Sequence, residues 1–256
     1  MRSNRHRFAA LITGCMINAI LLTGVQVQAQ TIVSPSTLAN TEGDSNNGFP
    51  FNLQNFSLTG QRYQQVYNAS EFSSIVVPSF ITQIAFRPDA GSGGAFSTTL
   101  SNVQINLAVS NFASDALSAT YANNVGANNT VVKSGALTLS SAFTGPANGP
   151  KNFDIIINLT TPFLYTPGTN LLLDVRNFAG GLTTQFDADL NSTGSRVFNT
   201  DNNVNAASGT PDSSALVTRF TFSNAAVPEP GSVALLAGLG VTGSLFAIRR
   251  LRRRKK

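Results

Sequence analysis

Asp187 and Asp189, with Asn191 in step behind them and Gly194 beyond, are the residues whose types and spacing come nearest to chemistry. On a strand, side chains at i and i+2 share a face about 7 Å apart, within the range of the carboxylate pairs that hydrolyse glycosides. The same alternating oxygens suit Ca²⁺, but an EF-hand counted from Asp187 needs glycine at its sixth place and glutamate at its twelfth. Ser192 and Phe198 stand there, so a calcium loop of another kind stays open beside the plain reading of a solvated strand end. Asp44-Ser45-Asn46-Asn47-Gly48 reads as a turn before it reads as a ligand set. Tyr63, Tyr67, Tyr121 and Tyr165 are the aromatics able to stack on a sugar ring, Tyr63 and Tyr67 sharing a face if their segment is extended. Half-buried phenols anchoring strand ends are the alternative there.

What is missing narrows the chemistry further. The single His (His6), the single Cys (Cys15) and both Met (Met1, Met16) precede Gln30, and there is no Trp. With the first 29 residues removed, the chain has no imidazole, no thiol and no disulfide. Ser-His-Asp and Cys-His catalysis are then impossible, as are zinc sites built on His or Cys, and the chain reads as a non-enzyme needing no cofactor. The formal charge of +5 belongs to the two ends. Residues 30–248 hold seven cations against twelve acids, a net of −5. A nucleic-acid footprint needs basic side chains clustered on the folded body, so nucleic acid is excluded as a partner.

The elements that must carry these residues are strands. Val103, Ile105, Leu107 and Val109 alternate with Gln104, Asn106 and Ala108; Ile155, Ile157 and Leu159 share a face, as do Leu171, Leu173 and Val175. Ile84 with Phe86, Leu137 with Leu139, and Leu216 with Phe220 and Phe222 keep the same period. Strand breakers fill 88–94, 123–129, 145–149, 167–168, 180–181 and 202–211. Roughly nine or ten strands with one dry face each predict an all-β fold, a two-sheet β-sandwich of jelly-roll type over residues 51–223. Its core is expected to draw on Phe80, Phe86, Phe153, Phe163 and Phe178. Residues 30–50, rich in Pro, Gly and Asn, are expected to form a loose, flexible arm, and 224–230 a linker.

Both ends read as addresses. Arg2, Arg5 and Arg7 precede a mostly apolar run from Phe8 to Val25, and Val27-Gln28-Ala29 places small residues at −3 and −1. This predicts a signal peptide over residues 1–29, cut between Ala29 and Gln30, with the Sec translocon and signal peptidase as partners. Ile12-Thr13-Gly14-Cys15 resembles a lipobox, and lipidation of Cys15 is the competing reading. At the other end, Val227-Pro228-Glu229-Pro230 opens onto an uncharged run over 231–248. Arg249, Arg250, Arg252, Arg253, Arg254, Lys255 and Lys256 then close the chain. A helix over 231–248 would be about 27 Å long, close to the ~30 Å hydrocarbon thickness of a bilayer. The cations of 249–256 would hold that end of a transmembrane helix in the cytoplasm. The prolines fix φ and keep Glu229 out of helix, so the motif is expected to be extended and open to a protease.

This order of Pro-Glu-Pro, apolar span and Arg-rich terminus resembles the PEP-CTERM sorting domain of exported bacterial proteins. The resemblance covers only the last 30 or so residues. It implies recognition and processing by exosortase, a membrane protease-transpeptidase. It further implies a protein held for a time in the inner membrane and then delivered to the cell surface or extracellular matrix, in association with exopolysaccharide or biofilm. An ordinary C-terminal anchor on a proline-rich stalk is the other reading of the same residues. For the body, a cell-envelope or matrix protein without catalysis is the main expectation. A glycan- or calcium-dependent binding module and a carboxylate-only hydrolase are its alternatives.

Overall fold

The structure, a computed structural model, describes residues 29–147, 149–190 and 195–224. Outside the described residues lie the segment 1–28 with Cys15, and Asn191 with Gly194. So do Val227, Pro228, Glu229 and Pro230, the apolar run 231–248 and the cations of 249–256. Among the described residues no helix is long and apolar enough to cross a membrane.

In chain order the strands are β1 (Ala29–Ser34), β2 (Ser45–Asn47), β3 (Gln61–Tyr67), β4 (Ser79–Phe86), β5 (Phe96–Val109), β6 (Thr130–Ser141) and β7 (Ile155–Tyr165). There follow β8 (Leu171–Asn177), β9 (Phe186–Asp189), β10 (Ser195–Phe198), β11 (Thr210–Asp212), β12 (Ala215–Leu216) and β13 (Thr218–Asn224). One sheet has the order β1-β13-β4-β7, a second β11-β10-β3-β8-β5-β6, and a small third β12-β9-β2. The pairings are antiparallel. The expected all-β architecture is therefore present, with two main sheets and a third that the alternation of residues did not announce.

The period-two runs explain the two main sheets. Ile32, Ile81, Ile84, Ile155, Ile157, Phe220 and Phe222 from the first sheet meet Val103, Ile105, Leu107, Leu137, Leu173 and Val175 from the second in one continuous core. Aromatic rings fill its centre. Phe220 stands edge-on to Tyr67 at 4.9 Å and to Phe72 at 5.5 Å, while Phe72 meets Tyr165 at 5.1 Å. Each such ring, fully removed from water, contributes about 1.5–3 kcal/mol, which is how a disulfide-free body holds two sheets together.

Around β3, β8 and β10 the second sheet is covered on both faces. Val66, Ala108, Leu172 and Val197 on its outer side pack under Leu117, Tyr121 and Ala206, contributed by the connections after β5 and β10. All seven residues of β3 are consequently buried although four of them are Gln or Arg. Their polar groups are bonded: Arg62 Nε and Nη2 donate to both oxygens of Asp174 at 3.2 and 2.7 Å. Gln64 Nε2 donates to Asp174 Oδ2 at 2.9 Å, and Asn124 Nδ2 donates to Gln64 Oε1 at 2.9 Å. Gln65 takes an N–H from Leu216 and returns one to its carbonyl, tying β12 to β3.

Two expectations are corrected. The stretch 30–50 is not a loose arm: β1 pairs along its whole length with β13, β2 pairs with β9, and Phe49 and Pro50 are buried. Its turn formers are used as caps, Asn47 Oδ1 accepting from Phe49 N at 2.8 Å and Asp44 Oδ1 from Leu190 N at 2.8 Å. Of the phenylalanines assigned to the core, Phe86 and Phe163 are there, whereas Phe80 and Phe153 are half-buried and Phe178 is 38% exposed. Phe51, Phe72, Phe186, Phe220 and Phe222 take the central places instead. Phe220→Ala is expected to lower unfolding free energy by about 3–5 kcal/mol in urea titration, and Phe178→Ala by about 0.5 kcal/mol.

Candidate functional site

The candidate carboxylates sit in the small sheet. Asp187, on β9, is fully buried, and its Oδ2 accepts from Arg87 Nε at 2.6 Å while its Oδ1 accepts from Gly43 N at 2.9 Å. Arg87, at the end of β4, is 1% exposed and lies over the ring of Phe153 at 4.9 Å. Its Nη2 donates to the carbonyls of Leu38 at 3.0 Å and Thr41 at 2.5 Å. One guanidinium thus clamps the chain after β1 onto β9. Gly43 has to be glycine for this: a Cβ would stand 2.1 Å from the Ala188 carbonyl oxygen.

Carboxylate oxygens of Glu42, Asp89 and Asp187 come within 4.8 Å of one another, a spacing a metal ion can use. Their lone pairs are largely committed elsewhere. Glu42 Oε1 accepts from Ala90 N at 2.7 Å, and Asp89 Oδ1 accepts from Gly91 N, Ser92 N and Ser92 Oγ at 3.1, 2.5 and 2.6 Å. Arg87 already supplies the positive charge beside Asp187. Glu42 Oε2 is buried without a partner. Loss of hydration pushes the Asp187 carboxyl up to about 6, with Arg87 pulling against this and Glu42 adding to it. Asp189, two residues along, is also buried. A shallow cleft of about 290 Å³, lined by Asp115, Leu117, Ser195 and Asp212 among others, does not include either of them. The two acids that spacing nominated are therefore interior residues in this fold, Asp187 as part of the Arg87 clamp, and Asn191 lies outside the described residues.

The tyrosines are interior as well. Tyr63 and Tyr121 are 0% exposed, Tyr67 2% and Tyr165 1%, so none of the four presents a ring to a sugar. Each hydroxyl is bonded: Tyr63 to Gln65 Oε1 at 2.6 Å, Tyr67 to Thr218 Oγ1 at 2.9 Å, Tyr121 to the Arg62 carbonyl at 3.0 Å and Tyr165 to the Thr169 carbonyl at 2.8 Å. Burial raises all four phenols, Tyr165 up to about 12 and the other three well above their ordinary value. Sequence reasoning missed Arg87 altogether. No signal in the sequence pairs it with Asp187, a hundred residues away.

The feature that bears on function is where the chain enters and leaves. Ala29 is opposite Ser223 across β1 and β13, and the rows continue through Phe80 to Leu164 and, from Asn224, through Ser79 to Tyr165. Both termini of the described body thus leave from one pole of the first sheet, side by side. The fold defines a β-sandwich whose last strand is an interior one, continuing directly into the C-terminal segment. That segment, residues 226–254, matches the family model of the PEP-CTERM protein-sorting motif. Comparison with curated proteins and with solved structures finds no match.

Two measurements check the site. The carboxyl ¹³C signal of Asp187 is expected to titrate near pH 6, and a midpoint at or below 4 would show that Arg87 outweighs burial. Because that folded value lies above the unfolded one, this group's contribution to stability falls as pH rises from about 4 to about 6. Absorbance at alkaline pH is expected to show no phenolate from the folded body near the ordinary tyrosine value of about 10. All four tyrosines should ionise there in urea. The unfolded chain then loses its protons first, so the native state is destabilised progressively above that pH.

Proposed function

We propose that this chain is an exported, non-catalytic protein of the cell envelope or extracellular matrix that reaches its place through its C-terminal sorting signal. The match of residues 226–254 to the PEP-CTERM protein-sorting motif carries this reading. In it, the Sec translocon and signal peptidase act on residues 1–29, cutting between Ala29 and Gln30. Residues 231–248 cross the inner membrane with 249–256 in the cytoplasm, and exosortase processes the chain at Val227-Pro228-Glu229-Pro230. The placement of β13 supports it, since the tail begins where a folded body ends.

The body in this proposal is a jelly roll used as a hydrated structural module. Its eight framework strands, taken in chain order as β1, β3, β4, β5, β6, β7, β8 and β13, lie as β1-β13-β4-β7 and β3-β8-β5-β6, which supports the double Greek-key connection of that fold. Uncharged polar rows lie on the outer faces of both sheets. Thr31, Thr221, Gln83 and Asn158 form one row across the first sheet, with Gln83 Nε2 donating to Asn158 Oδ1 at 2.9 Å. Thr99 and Thr138 share a hydrogen bond at 2.9 Å on the second. Amide and hydroxyl rows of this kind suit contact with a hydrated exopolysaccharide.

The test is the triple substitution Pro228→Ala, Glu229→Ala, Pro230→Ala in a host that possesses exosortase. Fractionation and intact-mass spectrometry are expected to find the variant in the inner membrane with its tail complete, while the parent is recovered as a shorter species outside it. Equal processing of the two would overturn the sorting assignment.

A further inference from the structure

Resting on the membrane-anchored intermediate proposed above, we infer that the exit pole is a membrane-docking surface, and that its partner is the uncharged interface of the lipid bilayer. Val76 is 79% exposed, Val77 51% and Leu164 43%, and Pro78 and the half-buried Phe80 lie beside them. The loop that carries the valines is held. Phe72 and Ile75 are buried, Ile75 N donates to the Phe72 carbonyl at 2.9 Å, and Gln30 Nε2 donates to Ser74 Oγ at 2.8 Å. An anchored loop that turns two consecutive valines to water is unlike the single exposed apolar residues any surface carries.

Position selects the occupant. Leu164, Phe80, Ser223 and Ala29 form one cross-strand row, and Val76-Val77-Pro78 lead directly into β4 next to it. Beyond Asn224 only residues 225–230 precede the apolar run. Extended, six residues reach about 20 Å at most, so the anchored body keeps this pole within about 20 Å of the membrane surface. Residues 73–80 and 162–169 contain no charged side chain. The patch is thus suited to the neutral part of the interface and not to anionic headgroups. A tether this short keeps the local lipid concentration high, so a contact too weak to bind the free body still forms while the tail is intact. Docking would hold the Pro-Glu-Pro segment at a fixed height above the bilayer, and the contact would weaken once the tether is cut.

The experiment uses the full chain in a Cys15→Ser background, reconstituted into phosphatidylcholine vesicles, with a polarity-sensitive dye on Val77→Cys. The dye is expected to shift to the blue and to be quenched by lipids brominated near the headgroup, independently of salt. The same dye on Val131→Cys, exposed on β6, is expected to stay water-like. Adding Val76→Asp and Leu164→Asp should lower the docked fraction about tenfold, the order expected when two aliphatic side chains lose an apolar contact. Protein that floats with the vesicles while the Val77 dye behaves like the Val131 dye overturns the docking surface and leaves anchoring intact. Docking that requires anionic lipid overturns it equally. Protein that does not float with the vesicles at all overturns the anchoring reading, and this inference with it.

Discussion

The pairing of β1 with β13 is the contact on which the rest of the molecule depends. It brings the first and last described strands of a long chain into register, from Ala29 opposite Ser223 to Ser34 opposite Thr218. Because β13 also pairs with β4, it lies inside the first sheet with neighbours on both sides. The sheet therefore cannot be completed until the C-terminal end of the body has been supplied. Phe220 and Phe222, which close the aromatic centre against Tyr67, Phe72 and Tyr165, arrive with that same strand. A body whose core is finished by its last strand, and whose sorting segment starts directly after it, keeps the address beside the folded state it is meant to deliver.

Apolar burial supplies the stability, and buried ion pairs supply the register. A guanidinium or carboxylate removed from water costs several kcal/mol before any partner returns it, so such pairs are weak as net stabilisers. Their geometry is what makes them useful here. Arg62 fixes β3 against Asp174 on β8, and Arg87 fixes the stretch after β1 against Asp187 on β9. A one-residue slip in either pairing would leave a buried charge without a partner, which is far more costly than the pair is favourable. The polar strand β3 is held in the interior by the same logic, with the Gln64 amide bonded to Asp174 on the neighbouring strand and the Gln65 amide to Leu216 of the small third sheet, groups that only the native register offers.

Much of the framework was legible because burial on one face writes itself as alternation. Val103, Ile105 and Leu107 on β5 and Ile155 and Ile157 on β7 are of that kind. The strand β3 was readable only conditionally, since Gln61, Gln64 and Gln65 are hidden by hydrogen bonds and by a covering layer that alternation does not encode. The stretch 30–50 departs from its composition for a related reason: Asn47 and Asp44 are turn formers by type, yet here their oxygens accept from the backbone N–H groups of Phe49 and Leu190 and so fasten the segment to the body. Tyr63 and Tyr67 share a face as their spacing required, but spacing says nothing about whether that face looks to water. Asp187 and Asp189 looked like an exposed strand end because Arg87, a hundred residues earlier, left no local trace.

The geometry also says how a membrane anchor would load the fold. Antiparallel ladder bonds lie across the strand direction, so a pull along β13 from its C-terminal end loads them in shear, and several must fail together. With β1 on one side and β4 on the other, two ladders share that force. An edge strand such as β7 would have had one. Placing the tail after an interior strand therefore protects the body against unravelling from the anchored end.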